Sequence, residues 1–289
     1  MVKLWSVVIA LDLIAAPASA RGAIDIVAAE NFYADVAQQI AGSHASVSSI
    51  MRNPDQDPHL FEASPAVSRL LSSASIVVYN GADYDPWMPK LLAAAKSPKR
   101  QAIVVADLVH RKPGDNPHIW YDPPTMPAYA TALTAALAEW DPANSGDYRH
   151  GLDVFLTSLR QVDARISGLR QQFEGTPITA TEPVFGYMAT ALGFKMRNER
   201  FQLAVMNNAE PRVSDVAAFE NDLRTRAVRL LLYNSQATDP AAERLKVIAE
   251  EARIPIVGIT ETEPAGRRYQ DWLLAELDAI GRALAGAPP

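Results

Sequence analysis

Two short stretches of the chain set a histidine between a proline and an apolar residue, with an aromatic residue next: Asp57-Pro-His-Leu-Phe-Glu62 and Asn116-Pro-His-Ile-Trp-Tyr-Asp-Pro123. Proline fixes its own φ and disfavours helix at the residue before it, so both stretches read as extended or turned loops. Each presents one imidazole, His59 or His118, on a stiff backbone. Neutral imidazole is a common ligand of first-row divalent ions, and two such loops suit the two halves of a metal site. Asp122 lies close enough to His118 in sequence to orient the ring from behind. A lone, partly buried histidine is more often simply packed under a turn. The repetition of the pattern is what favours the metal.

The elements around these loops alternate. AIDIVAA (23–29), Ala45 to Met51, ASIVVYN (74–80) and QAIVVA (101–106) read as buried strands. Between and after them the helical periodicity falls at Phe32 to Ile40, Pro65 to Ser72, Pro86 to Ala95 and Pro124 to Trp140, with a turn at Asn80-Gly81. The second half repeats the scheme, with strands at PITAT (177–181), Gln202 to Val205, AVRLLLYN (227–234) and IPIVGIT (254–260). Its helices are expected at Val184 to Leu192, Val213 to Arg224, Asp239 to Ala252 and Tyr269 to Leu284. Strands alternating with helices imply parallel sheets covered on both faces, which bind ligands beyond the carboxyl ends of their strands. Both histidine loops fall there.

Between the halves, Tyr148, Leu152, Phe155, Leu159, Val162, Ile166, Leu169 and Phe173 recur at alternating steps of four and three. This is a narrow apolar stripe on one helix roughly 40 Å long. It fits either the seam of a dimeric coiled coil or a spine packed along both halves of one molecule, and the sheet-forming flanks favour the spine. The fold class is therefore α/β, two parallel-sheet (βα) lobes joined by one long spine helix. The boundaries expected are a leader at 1–20, an N-terminal lobe at 21–141, the spine at 142–175 and a C-terminal lobe at 176–289.

The 289 residues suffice for two cores, and the net charge of -6 leaves no basic stripe for nucleic acid. Residues 1–20 carry Lys3, an apolar run from Leu4 to Ala16 and the small-residue site Ala18-Ser-Ala20, the pattern of a cleaved secretory signal ending before Arg21. Asp12 interrupts that run, which is too short to span a bilayer. The chain has no cysteine, so disulfides, thiolate ligands and a lipid-bearing cysteine are not expected, and the mature chain reads as free in a periplasm.

DPHLFEASP followed by NPHIWYDPP resembles the substrate-binding proteins of metal-ion ABC importers, the zinc/manganese-type family (cluster A-I). The resemblance continues through YNGADYDPWM, ATEPVFGYMATALGF, NNAEPRVSDVAAFENDL and VGITETEPAG, covering essentially the whole chain after residue 20 in the family's order. It implies the spine over the coiled coil, and a divalent cargo, Mn2+ or Zn2+, held between the lobes by His59, His118, Glu182 and Glu261. Family members carry histidine or glutamate at the place of Glu182 and usually aspartate at that of Glu261, with Glu263 a rival close by in the same loop. On residue chemistry alone Glu182 could equally cap the helix near Val184, and Glu261 could be a solvated loop charge. Tyr187 and Trp120 are expected to wall the cavity, Glu210 to start a helix, and His44, His110 and His150 to lie at the surface. The histidine-rich loop of many members is absent, since only HRKPGDN (110–116) stands in that place.

Two imidazoles with two carboxylates compensate a 2+ ion and make a harder set than three histidines, which suits manganese slightly over zinc. The resemblance implies a monomer that delivers its ion to a cognate ABC permease in the inner membrane. The chief rival is a metal-dependent hydrolase using the same His/His/Glu/Glu cluster with an open position for water. Against it, the chain has no HExxH, no GxSxG and no phosphate-cradling glycine loop. An adhesin or chaperone on the same scaffold is a third reading.

Overall fold

The computed structural model describes residues 24–53, 61, 64–207, 209–236 and 240–286. The expected leader at 1–20 and the first histidine, His59, lie outside the described residues. The first lobe runs β1 (Ile24–Ala28), α1 (Asn31–Ala41), β2 (Ala45–Ser49), α2 (Pro65–Ser73), β3 (Ile76–Tyr79), α3 (Trp87–Ala94), β4 (Gln101–Val104) and the short α4 (Val105–Leu108). A 3-10 turn at Ile119–Tyr121 leads into α5 (Thr125–Trp140), and α6 (Ser145–Phe173) follows. The second lobe runs β5 (Pro177–Ala180), a 3-10 turn Pro183–Phe185, α7 (Gly186–Ala191), β6 (Lys195–Arg197), α8 (Glu199–Met206) and α9 (Val213–Arg224). It closes with β7 (Leu231–Asn234), α10 (Pro240–Glu251), β8 (Ile256–Ile259) and α11 (Tyr269–Gly286).

Each lobe holds one four-stranded sheet, in the orders β2-β1-β3-β4 and β6-β5-β7-β8, and every pairing is parallel. The central strands β1, β3, β5 and β7 are almost wholly buried, as expected when helices cover both faces. The pairing register also relates the lobes. Ala28 stands opposite Val78 as Ala180 stands opposite Leu232, so Glu30 and Glu182 occupy equivalent positions, as do Asn80 and Asn234.

The striped helix α6 is 29 residues long, about 44 Å end to end. Its buried residues, Tyr148, Phe155, Leu159, Val162, Ile166 and Leu169, face α1 and α5 on one side and α11 on the other. The stripe is thus consumed within one molecule, and a single apolar cluster continues from β1 through α6 to α11. Two glycines permit the close approach. A Cβ at Gly151 would lie 2.5 Å from the Ile40 carbonyl oxygen, and one at Gly281 would lie 2.9 Å from Leu169. Asp147 in the first turn and Arg170 in the last complement the helix dipole.

One expected element is misplaced. The strand expected at Gln202 to Val205 lies instead at Lys195–Arg197, and residues 199–206 are helix α8. Asn198, left-handed at φ 61, separates the two, and Phe201 and Gln202 turn inward while Leu203 is exposed. The true strand is a three-residue sheet edge carrying Lys195 and Arg197, so it has no apolar run to reveal it.

Candidate metal centre

Five of the strand ends, those of β3, β4, β5, β7 and β8, lead into one buried polar cluster between the lobes. His118 lies on the loop beyond β4 and α4 and opens the 3-10 turn Ile119–Tyr121. Its side chain is fully buried, with its ring edge-on to Trp120 at 5.3 Å and to Tyr84 at 5.9 Å between centroids. The Nδ1 atom is 2.6 Å from Asn116 Oδ1, which also accepts the His118 backbone N–H at 3.1 Å. Asn116 has no freedom to turn its amide round, because its Nδ2 donates to the Pro183 carbonyl at 2.8 Å. Nδ1 therefore carries the ring proton, and the lone pair is on Nε2. That atom is buried with no hydrogen-bond partner among the described residues, and it lies 3.6 Å from Glu261 Oε2.

Glu261 follows β8 and is itself fully buried. Tyr84 donates its hydroxyl to Oε2 at 3.0 Å, and Asn234 donates Nδ2 to Oε1 at 2.5 Å. Burial and the neighbouring carboxylate hold the Tyr84 phenol well above its ordinary pKa, so it stays a neutral donor. The backbone N–H groups of Glu261 and Thr262 both donate to Gln236 Oε1, which pins the loop. Below it the buried Glu276 accepts the Thr260 N–H at 3.1 Å and the Trp272 Nε1–H at 3.0 Å.

Glu182 follows β5 and is 6 % exposed. Its backbone caps the 3-10 turn, but its side chain makes no capping bond there; Oε2 accepts from Asn234 Nδ2 at 3.3 Å instead. His118 and Glu261 are thus neighbours, and Glu182 joins them through one shared amide. Among the described residues no three histidine, aspartate or glutamate side chains already converge as a metal cage. The rival Glu263 points elsewhere. Its backbone N–H and carbonyl bond the Asn31 side chain, and burial, with Asp35 and Asp271 nearby, pushes its pKa up to about 9.

The ring-orienting partner of His118 is Asn116, not Asp122. Asp122 pairs with Arg111 at 3.0 Å, and its carbonyl accepts the Thr125 N–H at 2.9 Å. Trp120 is fully buried behind the imidazole, and Tyr187 donates its hydroxyl to the Asn116 carbonyl at 2.8 Å while its ring carries the Arg111 guanidinium. His110 and His150 are exposed, and His44 is half-buried, 2.9 Å from Asp147. Sequence reasoning does not single out Tyr84, Asn116, Asn234 or Gln236, although the first two lie inside the motifs YNGADYDPWM and NPHIW. A cavity of about 440 Å³ opens beside the cluster, with Tyr84, Pro117, Phe61, Trp87, Asp115 and Met206 in its walls.

Glu30, the register equivalent of Glu182, is fully buried, with the Asp85 carboxyl beside it. Burial first, then the charge of Asp85, hold its pKa well above the usual carboxylate range. The two lobes thus use the same position differently: the first sets its acid beside Asp85, while the second sets its acid against the Asn234 amide.

The chain resembles known proteins over nearly its full length. The manganese ABC transporter substrate-binding lipoprotein PsaA of Streptococcus anginosus is 24% identical over 310 residues, covering 96% of this chain and 97% of that protein. The solved periplasmic zinc-binding protein TroA of Treponema pallidum superposes with a TM-score of 0.75 at 20% identity, over 91% of this chain and 99% of that one. A manganese-bound mutant form of the periplasmic metal-binding protein from Candidatus Liberibacter asiaticus gives a TM-score of 0.75 at 18% identity, over 90% of this chain and 99% of that one. These likenesses establish the two-lobed fold. The family model described as the periplasmic component A of the zinc-uptake complex, ZnuA, matches residues 26–283, and the chain belongs to that family.

Proposed function

We propose that this protein captures one divalent transition metal between its lobes, outside the cytoplasm, and passes it to an ABC permease in the inner membrane. The observation that carries the reading is His118 Nε2, a buried lone pair with no partner among the described residues, 3.6 Å from a buried carboxylate oxygen of Glu261. A buried polar atom left unpaired is costly, and an incoming cation beside Glu261 would satisfy the imidazole nitrogen. His118, Glu182 and Glu261 serve as ligands, with His59 from the loop beyond β2 as the fourth. The two carboxylates compensate the 2+ charge, and Asn116 keeps the imidazole in the tautomer a metal requires. This chain supplies binding and release, and family membership gives the hydrolase reading no support.

In this reading residues 1–20 are removed as a signal, 21–141 and 176–289 form the two metal-binding lobes about the spine at 142–175, and the protein works as a monomer. The cargo is manganese or zinc, and the oxygen-rich set favours manganese. Zinc binds any such site at least as tightly in a test tube, so the cargo is decided by elemental analysis of protein taken from its native compartment. Metal titration tests the site. Wild type should bind one ion per chain, His118→Ala should lose most of the affinity, and Glu182→His should raise zinc affinity relative to manganese. Unchanged binding in His118→Ala would overturn the assignment.

A further inference from the structure

We infer that Asn234 is an internal stand-in for the cation: in the metal-free protein its amide nitrogen holds the Glu182 and Glu261 carboxylates, and this competition helps set the affinity of the site. The inference rests on the reading of both glutamates as metal ligands. Asn234 lies at the end of β7, is 6 % exposed, and all of its polar side-chain atoms are engaged. Its Oδ1 accepts the Gln236 backbone N–H at 3.0 Å, which fixes Nδ2 as the end facing the carboxylates. Nδ2 reaches Glu261 Oε1 at 2.5 Å and Glu182 Oε2 at 3.3 Å, so its two hydrogens serve the two acids.

Two carboxylates in a dry cleft repel one another and lack solvent. An amide N–H₂ pointing between them is a small neutral group that relieves both. Its equivalent in the first lobe works on the matching loop: Asn80 Nδ2 donates to the Pro117 carbonyl at 2.9 Å, next to His118, while Oδ1 accepts the Tyr33 hydroxyl at 2.7 Å. Each lobe therefore uses the asparagine at this register position to hold the segment that supplies a ligand. In the second lobe the amide touches the carboxylates themselves, where a metal ion must take over at least part of its role.

The decisive variant is Asn234→Asp, which keeps the shape but replaces the donor by a third acid. Without metal it should melt below wild type; with metal it should bind more tightly, by about tenfold or more, because affinity in oxygen sites rises with ligand charge. A residue that only supports the fold would weaken both properties, so the opposite signs identify the stand-in. The probes are Mn²⁺ and Zn²⁺ alone, read by competitive titration, with melting curves of the metal-free and metal-saturated protein. Asn234→Ser, which removes the amide without adding charge, guards against misfolding of the first variant. Its metal-free form should melt lower, and its gain in melting temperature on metal saturation should exceed that of wild type. Equal or weaker binding in Asn234→Asp, or an equal or smaller gain in Asn234→Ser, overturns the inference. If wild type binds and Glu182→Ala and Glu261→Ala do not, such a result defeats the stand-in role alone. If wild type binds neither ion, the metal-receptor reading falls with it.

Discussion

Glu276 should make the stability of the metal-free protein fall as pH rises from about 4.5 to about 7. Its carboxyl is buried on α11, and burial pushes its pKa up from 4.5 to about 7 against the hydrogen bonds it accepts. The geometry around it also asks for a proton. The Tyr121 hydroxyl lies 2.7 Å from both the Thr260 carbonyl oxygen and Glu276 Oε2, and one hydroxyl proton cannot serve two pure acceptors. A protonated Glu276 resolves this by donating to Tyr121, whose own proton goes to Thr260. In the unfolded chain the carboxyl ionises near its ordinary value. Between the two values the folded state binds the extra proton, so stability is fully present below about 4.5 and is lost as pH rises through about 7. At about 1.4 kcal/mol per pH unit, the loss is about 3 kcal/mol. Glu276→Gln keeps an N–H donor for Tyr121 and an acceptor for Thr260 and Trp272, but it has no proton to lose. Urea unfolding of metal-free wild type and Glu276→Gln across that range isolates the group, because the other buried acids, Glu30, Asp85 and Glu263 among them, are common to both proteins. The difference should change by about 3 kcal/mol in favour of the variant at the upper end. Parallel curves would show that Glu276 is ionised in the folded protein and that the acceptor count is wrong.

Asn116→Ala removes both the clamp on His118 Nδ1 and the bond to the Pro183 carbonyl, so metal affinity should weaken by about 10- to 100-fold; titration with either metal giving the wild-type constant would refute this. Closure around the ion should be small. The spine packs on both lobes, and Asn31, Asn116, Tyr121 and Tyr269 already bond across them. Small-angle scattering should give nearly equal radii with and without metal, and a marked contraction on loading would count against a rigid spine.

The α/β alternation and the stripe of α6 are legible in the chain itself because side-chain periodicity is a local property, set by residues three, four or two apart. The same is true of the loop around His118, whose prolines and aromatic neighbours are adjacent in sequence. Where local pattern is weak, it misleads: β6 is a three-residue edge without an apolar run, and the helix beside it reads as the strand. Local proximity misleads at Asp122 as well, since the 3-10 turn carries it away to Arg111 and leaves Asn116 to hold the ring. The choice of Glu261 over Glu263 as the neighbour of His118 lies beyond the sequence. Both are acids on one loop, and only the contacts of that loop with Tyr84 and Asn31 of the first lobe set one beside His118 and the other near Asp35 and Asp271. The role of Asn234 is hidden for the same reason: its partners Glu182 and Glu261 lie 52 and 27 positions away, and strands β5, β7 and β8 bring them together. Residue types and short spacings thus carry the elements and the kind of chemistry, while the direction of each buried polar group depends on long-range packing, which alone decides which donor faces which acceptor.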